Sequence, residues 1–427
     1  MGRQRKKVYP CLLDLRSFIV HARKSQDLQG DNIPVLMIGS GARMPRMADQ
    51  VTTIRRNRYG SNTQLLWCID SCSEQVRRLA AVISIQLHCA HSNNSFKKLR
   101  DRINAHVKMC ITTALERFPA AQKLIVLEDD LQLAPDFLSY FRQCAMLMDI
   151  DSSVMFVNAY RYHAMPHTSL DPAALLRAQS YPYYGWMVRR SDAEYLLKNW
   201  ISQSSEGDWD LYIKVHLVGK RRTILPEVPR TKHLRGPGVH VSAEVQESSY
   251  NRRPLNSLPD VQLRLARTWE LAYDIDLALS LNASTVVDIS QHPCRYKPIP
   301  QHKNTSYVIF ITADGDMDET KSFFVVAKCL GLYASELHEH YEYVWRLRYH
   351  GTVFYIVGCP VSPYCLSAPE QWYTPTKEDI ILASHHLQPQ DISEMGKIRW
   401  RVAPQAPEEE FYLTNVREQP LTFYFPS

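Results

Sequence analysis

Three consecutive carboxylates, Glu128-Asp129-Asp130, carry the clearest chemical signal in this sequence. They follow the apolar run 124–127, which predicts a buried strand ending at the acids. Adjacent carboxylates repel one another, and their pKa values rise unless a cation compensates them. Mg²⁺ or Mn²⁺ suits carboxylate and phosphate oxygens, and such a metal stabilises negative charge on a leaving diphosphate. The alternative is a solvated acidic helix start, because residues 134–136 (APD) could open a helix just beyond.

A second candidate is the segment 206–210 (EGDWD), in which carboxylates flank an aromatic side chain. An aromatic ring can pack against the face of a sugar, and a nearby carboxylate such as Asp210 can act as a general base. A turn with ordinary exposed acids is the alternative, and the segment taken alone favours it.

Basic residues are dense in the stretch that follows this segment. Guanidinium forks match phosphate oxygens, so the stretch could bind a diphosphate. A solvated basic loop explains the spacing equally well. The residues concerned are Lys214, Lys220, Arg221, Arg222, Arg230, Lys232 and Arg235.

The elements around these residues alternate between strands and helices. The pattern predicts strands at 33–38, 65–69 and 124–127, a possible strand at 82–87, and helices at 44–58, 73–83 and 104–118. This alternation is typical of an α/β unit with a mostly parallel sheet. Ligands of such sheets bind beyond the carboxyl ends of the strands. Arg43, Asp70 and the three acids all fall at that edge.

A second unit follows a proline-rich break at 253–260. A predicted helix at 261–281, strands at 306–312 and 352–358, and a helix at 319–333 indicate a smaller α/β unit. The sequence therefore predicts four segments: a poorly ordered lead-in (1–31), a main domain (32–258), a C-terminal subdomain (259–365) and a tail of unknown structure (366–427).

Composition narrows the possible classes of protein. With 427 residues, 45% hydrophobic and 22% charged, the chain has ordinary globular composition, which excludes disorder for most of it. The net charge of +6 is dispersed, which argues against nucleic-acid binding. No run of about 20 apolar residues predicts a membrane span, and no secretory signal is visible. The sequence read literally predicts a soluble, untargeted protein; alternatively, its true N-terminus is missing.

The ten cysteines do not indicate a dense disulfide framework for a chain of this length. Cys68 and Cys72 lie four residues apart near the end of a predicted strand, and we interpret them as buried thiols.

An ordered series of motifs resembles glycosyltransferase family 13. Residues 124–141 (LIVLEDDLQLAPDFLSYF) resemble the metal-binding segment of that family. Further matches follow at 184–186 (YGW), 209–210 (WD), 225–230 (LPEVPR) and 258–264 (LPDVQLR). In the second unit, residues 327–330 (AKCL), 345–347 (WRL) and 357–364 (VGCPVSPY) are more similar to the O-mannose branch of the family than to its N-glycan branch. The resemblance covers about residues 33–365.

The resemblance implies a GT-A fold and an inverting, Mn²⁺-dependent transfer of N-acetylglucosamine. The donor would be UDP-GlcNAc, and the acceptor would be the 2-hydroxyl of a mannose on a glycoprotein in the Golgi lumen. O-linked mannose is the expected acceptor, and N-glycan mannose is the alternative. By position, Asp130 is the implied metal ligand and Asp210 the implied general base.

The remaining site residues are also implied by position within the family motifs. Residues at donor-binding positions are Arg43, Asp70, Arg102, Glu128, Asp129, Trp209, Lys214 and Arg221. Residues at acceptor-binding positions are Tyr333, His338 and Trp345.

Several positions depart from the family pattern. An Ala-Trp-Asn-Asp run of the family is replaced here by residues 159–162 (AYRY), Lys214 replaces an arginine, and His338 replaces another. One family disulfide is lost, since its positions hold Phe156 and Thr223. A second is retained, which predicts a disulfide between Cys294 and Cys329. A non-catalytic carbohydrate-binding or partner protein on the same fold is therefore the second function class.

Overall fold

The computed structural model describes residues 33–90, 98–202, 207–234, 246, 250–287, 305–315, 321–334 and 339–385. Within these ranges the strands form an eight-stranded sheet, a four-stranded sheet and a two-stranded ribbon. The strands are β1 Val35–Gly39, β2 Leu65–Ile69, β3 Gln86–Cys89, β4 Lys123–Glu128, β5 Leu131–Leu133, β6 Val154–Asn158, β7 Leu175–Ala178, β8 Trp186–Arg189, β9 Arg222–Pro226, β10 Thr231–His233, β11 Thr285–Val286, β12 Tyr307–Ala313, β13 Val344–Tyr349 and β14 Thr352–Pro360.

Helices cover both faces of the large sheet and flank the smaller one. They are α1 Met44–Arg56, α2 Glu74–Val82, α3 Leu99–Arg117, α4 Phe137–Ile150, α5 Arg190–Lys198, α6 Trp209–Tyr212, α7 Glu270–Asn282, α8 Lys321–Cys329 and α9 Lys377–His385. A π-helical turn, Ile213–Leu217, continues α6. Single 3₁₀ turns occupy Gly41–Arg43, Gly60–Asn62, Tyr250–Arg252, Leu265–Thr268 and Cys365–Ser367.

The large sheet has the strand order β3-β2-β1-β4-β8-β6-β9-β7. Strands β8 and β7 are antiparallel to their neighbours, and the other six run in one direction. The central strands β1 and β4 are almost continuously apolar and buried, as strands covered by helices on both faces must be. The carboxyl ends of β1, β2 and β4 therefore meet at one edge.

The smaller sheet has the order β11-β12-β14-β13 and its own apolar core. The long parallel pairing of β12 with β14 confirms the strands that the sequence predicts there. The predicted α/β fold class, with a mostly parallel central sheet and a smaller C-terminal α/β unit, is confirmed. The exact segment boundaries stay predictions.

Two element boundaries differ from those that the periodicity predicts. The helix predicted from residue 261 begins at Glu270, because residues 265–268 form a separate 3₁₀ turn. The possible strand at 82–87 starts later, at Gln86, because Val82 still belongs to α2. Apolar residues in both regions fit either structure, so local periodicity does not decide between them.

Cysteine pairing corrects the interpretation of Cys68 and Cys72 as buried thiols. Disulfides join Cys68 to Cys110 and Cys72 to Cys89, and a third links residues 359 and 365. These partners come from separate elements, so their proximity is not visible in the spacing. Cys329 is also disulfide-bonded. The predicted partner, Cys294, lies outside the described residues, and that pairing stays a prediction.

None of the helices in the described ranges combines the length and apolar character that crossing a bilayer requires.

A buried carboxylate, Glu339, ties the second unit to the first. Its oxygens accept hydrogen bonds from the backbone N–H groups of Tyr162 and His163 and from the Tyr183 hydroxyl, the last at 2.8 Å. The Arg161 Nε lies 3.8 Å from one of these oxygens. The Glu339 side chain is 1% exposed, so these contacts replace the water that its charge has lost.

Replacing Glu339 with glutamine is therefore expected to destabilise the junction between the units. The substitution E339Q leaves the Arg161 charge buried without its partner, and such losses cost about 3 kcal/mol or more. Urea unfolding should show this loss, whereas the exposed control E378Q should leave the midpoint unchanged. Equal midpoints for both variants would contradict the role of Glu339.

Candidate active site

The acids 128–130 lie at the carboxyl end of β4, in the middle of the large sheet. On α1, the Gln50 amide holds this turn by donating to the backbone oxygens of Glu128 and Leu131, both at 2.8 Å. Burial, followed by repulsion from Asp130, Asp210 and Asp129, raises the pKa of Glu128 to about 8. The site therefore concentrates more negative charge than its own cations neutralise.

Arg43 bridges two of the acids. Its Nη1 lies 2.8 Å from Asp129 Oδ1 and 3.1 Å from Asp130 Oδ2. Asp129 also accepts a bond from the Ser40 backbone N–H at 2.7 Å. Burial nevertheless raises the pKa of Asp129, because it outweighs the Ser40 bond and the Arg43 charge. Arg43 thus compensates the cluster directly, and its predicted contact with the donor stays a prediction.

Asp130 is held in its ionised form. Burial opposes this, but the hydrogen bond and charge of His233 and the charge of Arg43 outweigh burial, so the pKa of Asp130 is lowered. The His233 Nε2 lies 3.3 Å from Asp130 Oδ2. The second oxygen, Oδ1, is buried and has no hydrogen-bond partner among the described residues. An ionised, unpartnered carboxylate oxygen is a suitable ligand for a hard divalent cation.

Gly39, the last residue of β1, makes room for this arrangement. A Cβ atom there would lie 2.7 Å from Asp129 Cβ and 2.8 Å from Asp129 Oδ2, far inside normal contact distance. Any larger residue would displace Asp129 from the Ser40 N–H. The close packing of β1 and β4 therefore depends on the absence of a side chain at this position.

Asp70 lies at the end of β2, on the other side of β1 from the acids. Its Oδ1 is buried and has no hydrogen-bond partner among the described residues. His106 on α3 lies within electrostatic range of Asp70, although burial dominates and lowers the pKa of His106. The disulfides Cys68–Cys110 and Cys72–Cys89 fix the chain on both sides of Asp70. Because both sulfurs near His106 are in a disulfide, they are not thiolate ligands for a metal.

Asp210 faces the strand ends from α6. Its charge acts on Glu128 strongly enough to raise the pKa of Glu128. The preceding residue, Trp209, stacks on Trp200 with ring centres 5.7 Å apart and planes inclined by 9°. Asn104 on α3 accepts the Trp209 backbone N–H at 3.1 Å. These contacts place the partly exposed Asp210 carboxylate opposite the acids.

Sequence reasoning missed several residues of this site. His233, Tyr184, His106, Asn104 and Gln50 all position or contact its carboxylates. The Tyr184 backbone N–H contacts Glu128 and lowers its pKa, a smaller effect than burial. The residue has a positive φ of 45°. Histidine, asparagine and glutamine carry no periodic pattern, so the sequence offered no signal for them beyond their nearness to recognised motifs.

Two predicted donor-side residues lie near this edge without a demonstrated role. Lys214 Nζ lies 5.5 Å from the centre of the Tyr181 ring. Arg102 is exposed on the first turn of α3. Their donor-binding roles stay predictions.

The structure does not bring Arg221 to the other predicted donor-side residues, and its donor-binding role stays a prediction. It precedes β9, whose first residue, Arg222, pairs with Val154 at the start of β6. That edge of the sheet is opposite the carboxyl ends. There, Arg221 forms a bidentate pair with Asp192, at 2.7 and 2.6 Å. The basic run alone could not show where β9 begins and hence which edge Arg221 occupies.

The three predicted acceptor residues differ in their exposure and in whether the structure describes them. Trp345 is 1% exposed and stacks on Phe323 in the core of the smaller sheet, with ring centres 4.2 Å apart. Its burial lends no support to the predicted acceptor contact, which stays a prediction. Tyr333 is half-buried and packs on Tyr162, with ring centres 4.9 Å apart. His338 lies outside the described residues.

The altered run 159–162 contributes to the junction between the units. Tyr160 and Tyr162 pack edge-to-face at 5.4 Å inside a cluster of tyrosines, and Arg161 donates to the Arg346 backbone oxygen at 3.1 Å. Phe156 and Thr223, which replace the lost family disulfide, are buried register partners on β6 and β9. The run 159–162 is therefore a structural neighbour of the second unit, whereas Phe156 and Thr223 lie inside the large sheet.

The segment that carries most of these residues matches a known protein family. Residues 62–246 match the model of the GNT-I family. The chain contains a GNT-I family domain. The resemblance to glycosyltransferase family 13 is thereby confirmed. The GNT-I family domain spans β2 to β10 and includes Asp70, the acids 128–130 and Asp210.

A relative supports the same family. Over 134 residues the chain is 34% identical to an alpha-1,3-mannosyl-glycoprotein 2-beta-N-acetylglucosaminyltransferase of Arabidopsis thaliana. The aligned segment covers 31% of this chain and 29% of the relative. The match thus spans less than a third of the relative's length.

Solved structures show more distant likeness. One is a mannosyltransferase from Pyrobaculum calidifontis in complex with GDP-Man and Mn²⁺, 10% identical, covering 52% of this chain and 68% of that chain, with a TM-score of 0.31. Another is a glycosyltransferase involved in glycosylation of the major capsid of PBCV-1, 12% identical, covering 45% and 80%, with a TM-score of 0.22. At these TM-scores the likeness carries no argument about function.

The raised pKa of Glu128 in the GNT-I family domain predicts a pH dependence of stability. Folding raises this pKa from 4.5 to about 8, so the folded metal-free protein binds the proton more tightly than the unfolded chain does. Stability should therefore fall as pH rises through this window. The variant E128Q should gain melting temperature over the wild type near pH 8, and this gain should vanish below about pH 4.5.

The measurement is thermal unfolding in the presence of a chelator, with the exposed variant E116Q on α3 as control. A difference between E128Q and the wild type that does not change with pH would contradict the assignment.

Proposed function

We propose that this protein is a divalent-metal-dependent, inverting glycosyltransferase. It would transfer N-acetylglucosamine from UDP-GlcNAc to the 2-hydroxyl of a mannose on a glycoprotein. The family match and the named activity of the Arabidopsis relative support the general reaction. The donor, the linkage and the acceptor belong to the proposal.

One observation carries the proposal. The partly exposed carboxylate of Asp210 lies close enough to Glu128 to raise its pKa, and the neighbouring Asp130 keeps one buried oxygen without a hydrogen-bond partner among the described residues. An inverting transfer needs a base on the acceptor side and a cation-binding group on the leaving-group side. Asp210 on α6 would be the base, and Asp130 at the end of β4 would be the cation-binding group.

In the proposed reaction, Asp210 accepts the proton of the acceptor hydroxyl as the oxygen attacks the anomeric carbon. The new glycosidic bond forms, the bond from that carbon to UDP breaks, and UDP leaves with the electron pair. Trp209 and Asn104 hold the base in position. Asp130 would hold a Mn²⁺ or similar ion, which when bound stabilises the negative charge of the leaving diphosphate.

We propose O-linked mannose as the acceptor, because the motifs of the second unit are more similar to the O-mannose branch of the family. Among the acceptor-side residues that the structure describes, Tyr333 is half-buried and Trp345 is buried. We also propose that the protein acts in the Golgi lumen. The three disulfides in the described part of the chain fit an oxidising compartment of this kind.

The test is label transfer from UDP-GlcNAc to an O-mannosyl peptide, with Mn²⁺ and with chelator. We expect metal-dependent transfer, and weaker transfer to an N-glycan that carries a terminal α-1,3-linked mannose. The reverse preference would move the acceptor to the N-glycan branch. UDP binding without transfer to either acceptor would favour the non-catalytic carbohydrate-binding alternative.

Replacing the proposed base gives a sharper version of this assay. The variant D210N should lose roughly 10³-fold in kcat, which is within the range for removal of a general base. Its affinity for UDP should stay the same. The control D208N changes a neighbouring carboxylate and should retain activity. Loss of UDP binding in D210N, or equal loss in both variants, would contradict the role of Asp210.

A further inference from the structure

A cavity of about 190 Å³ lies at the junction between the two units, away from the acids of the active site. It is bounded by the start of β7, by α7 and by β13. Strands β9, β6 and β8 separate β7 from β4. Four strand spacings of about 4.8 Å therefore separate the cavity from the strand of the active site, roughly 19 Å across the sheet.

The charged lining of this cavity is dominated by arginine. The charged residues are Arg264, Arg267, Arg346, Arg348, Glu227 and Asp276. Four guanidinium groups thus face two carboxylates. A third carboxylate, Asp171, lies behind the lining and pairs with two of the arginines. Counting all seven groups leaves a net charge of +1.

Most of these arginines are engaged with carboxylates. Arg346 Nη1 lies 2.8 Å from Asp276 Oδ2, and Arg348 Nε lies 3.3 Å from Glu227 Oε1. Arg264 pairs with Asp171. The ion pairs hold the planar guanidinium groups in fixed orientations around the cavity.

Arg267 accounts for the excess positive charge. It follows Arg264 by one turn in the 3₁₀ segment at 265–268 and is exposed at the cavity. It has no ion pair or hydrogen bond with any residue in the described ranges. A network that served only to hold the units together would not need this fourth guanidinium.

We propose that this cavity binds a small oxyanion, namely a sulfate, phosphate or carboxylate group. Planar guanidinium forks match the oxygens of such groups, and one net positive charge suits one anionic group. The volume corresponds to about six water molecules at ~30 Å³ each, which accommodates a sulfate or phosphate group; a sugar that carried this group would extend beyond the cavity. The anion would come either free from solution or as a substituent of a sugar.

The experiment measures binding to the whole chain and does not depend on transfer activity. Inorganic sulfate, N-acetylglucosamine 6-sulfate and uncharged N-acetylglucosamine are titrated by calorimetry at constant ionic strength. The two sulfated probes should bind saturably, and the uncharged sugar should not bind in this cavity. At least tenfold tighter binding of the sulfated sugar than of sulfate would identify an acidic sugar as the source. Equal affinities would identify the free anion.

Two substitutions locate the binding. R267A removes the unpaired guanidinium and should weaken sulfate binding at least tenfold. S280E places a carboxylate from α7 in the cavity and should abolish it. The matched control R77A removes an exposed arginine from α2 and should have no effect. Absence of saturable binding, or identical affinities in R267A, S280E and R77A, would overturn the proposal.

Discussion

Three carboxylates lie together at the end of β4, and their negative charge must be compensated. The rest of the site depends on this constraint. Arg43 reaches Asp129 and Asp130 with one nitrogen, and His233 adds a second contact to Asp130. Glu128 has no comparable partner and is held largely in its protonated form. The protein thus keeps one ionised oxygen, Asp130 Oδ1, buried and available. A divalent cation would complete this arrangement.

The surrounding fold serves to keep these charges close together. Parallel pairing of β1 with both β2 and β4 brings Asp70 and the acids to one edge. Gly39 allows Asp129 to approach the backbone of β1, and Gln50 holds the turn that follows Glu128. On the opposite side, Asn104 and Trp200 anchor Trp209 and therefore Asp210. Most of these contacts join elements that are distant in sequence.

This long-range character explains how far the sequence could predict the structure. Apolar runs and turn residues identified β1, β2 and β4, and so placed Arg43, Asp70 and the acids at one edge. Local pattern could not place Arg221, because its position depends on where β9 pairs with β6. It also could not show that Trp345 is buried by Phe323, or that Cys68 pairs with Cys110. His233 has no signal in the sequence, since its role comes from the pairing of β10 with β5.

The most direct test of the central claim is a titration with Mn²⁺ followed by electron paramagnetic resonance in the presence of UDP. The wild type is expected to bind one ion, and D130N should lose this binding. The variant D49N changes an exposed acid on α1 and should bind as the wild type does. Unchanged Mn²⁺ binding in D130N would contradict the assignment of Asp130 as the metal ligand.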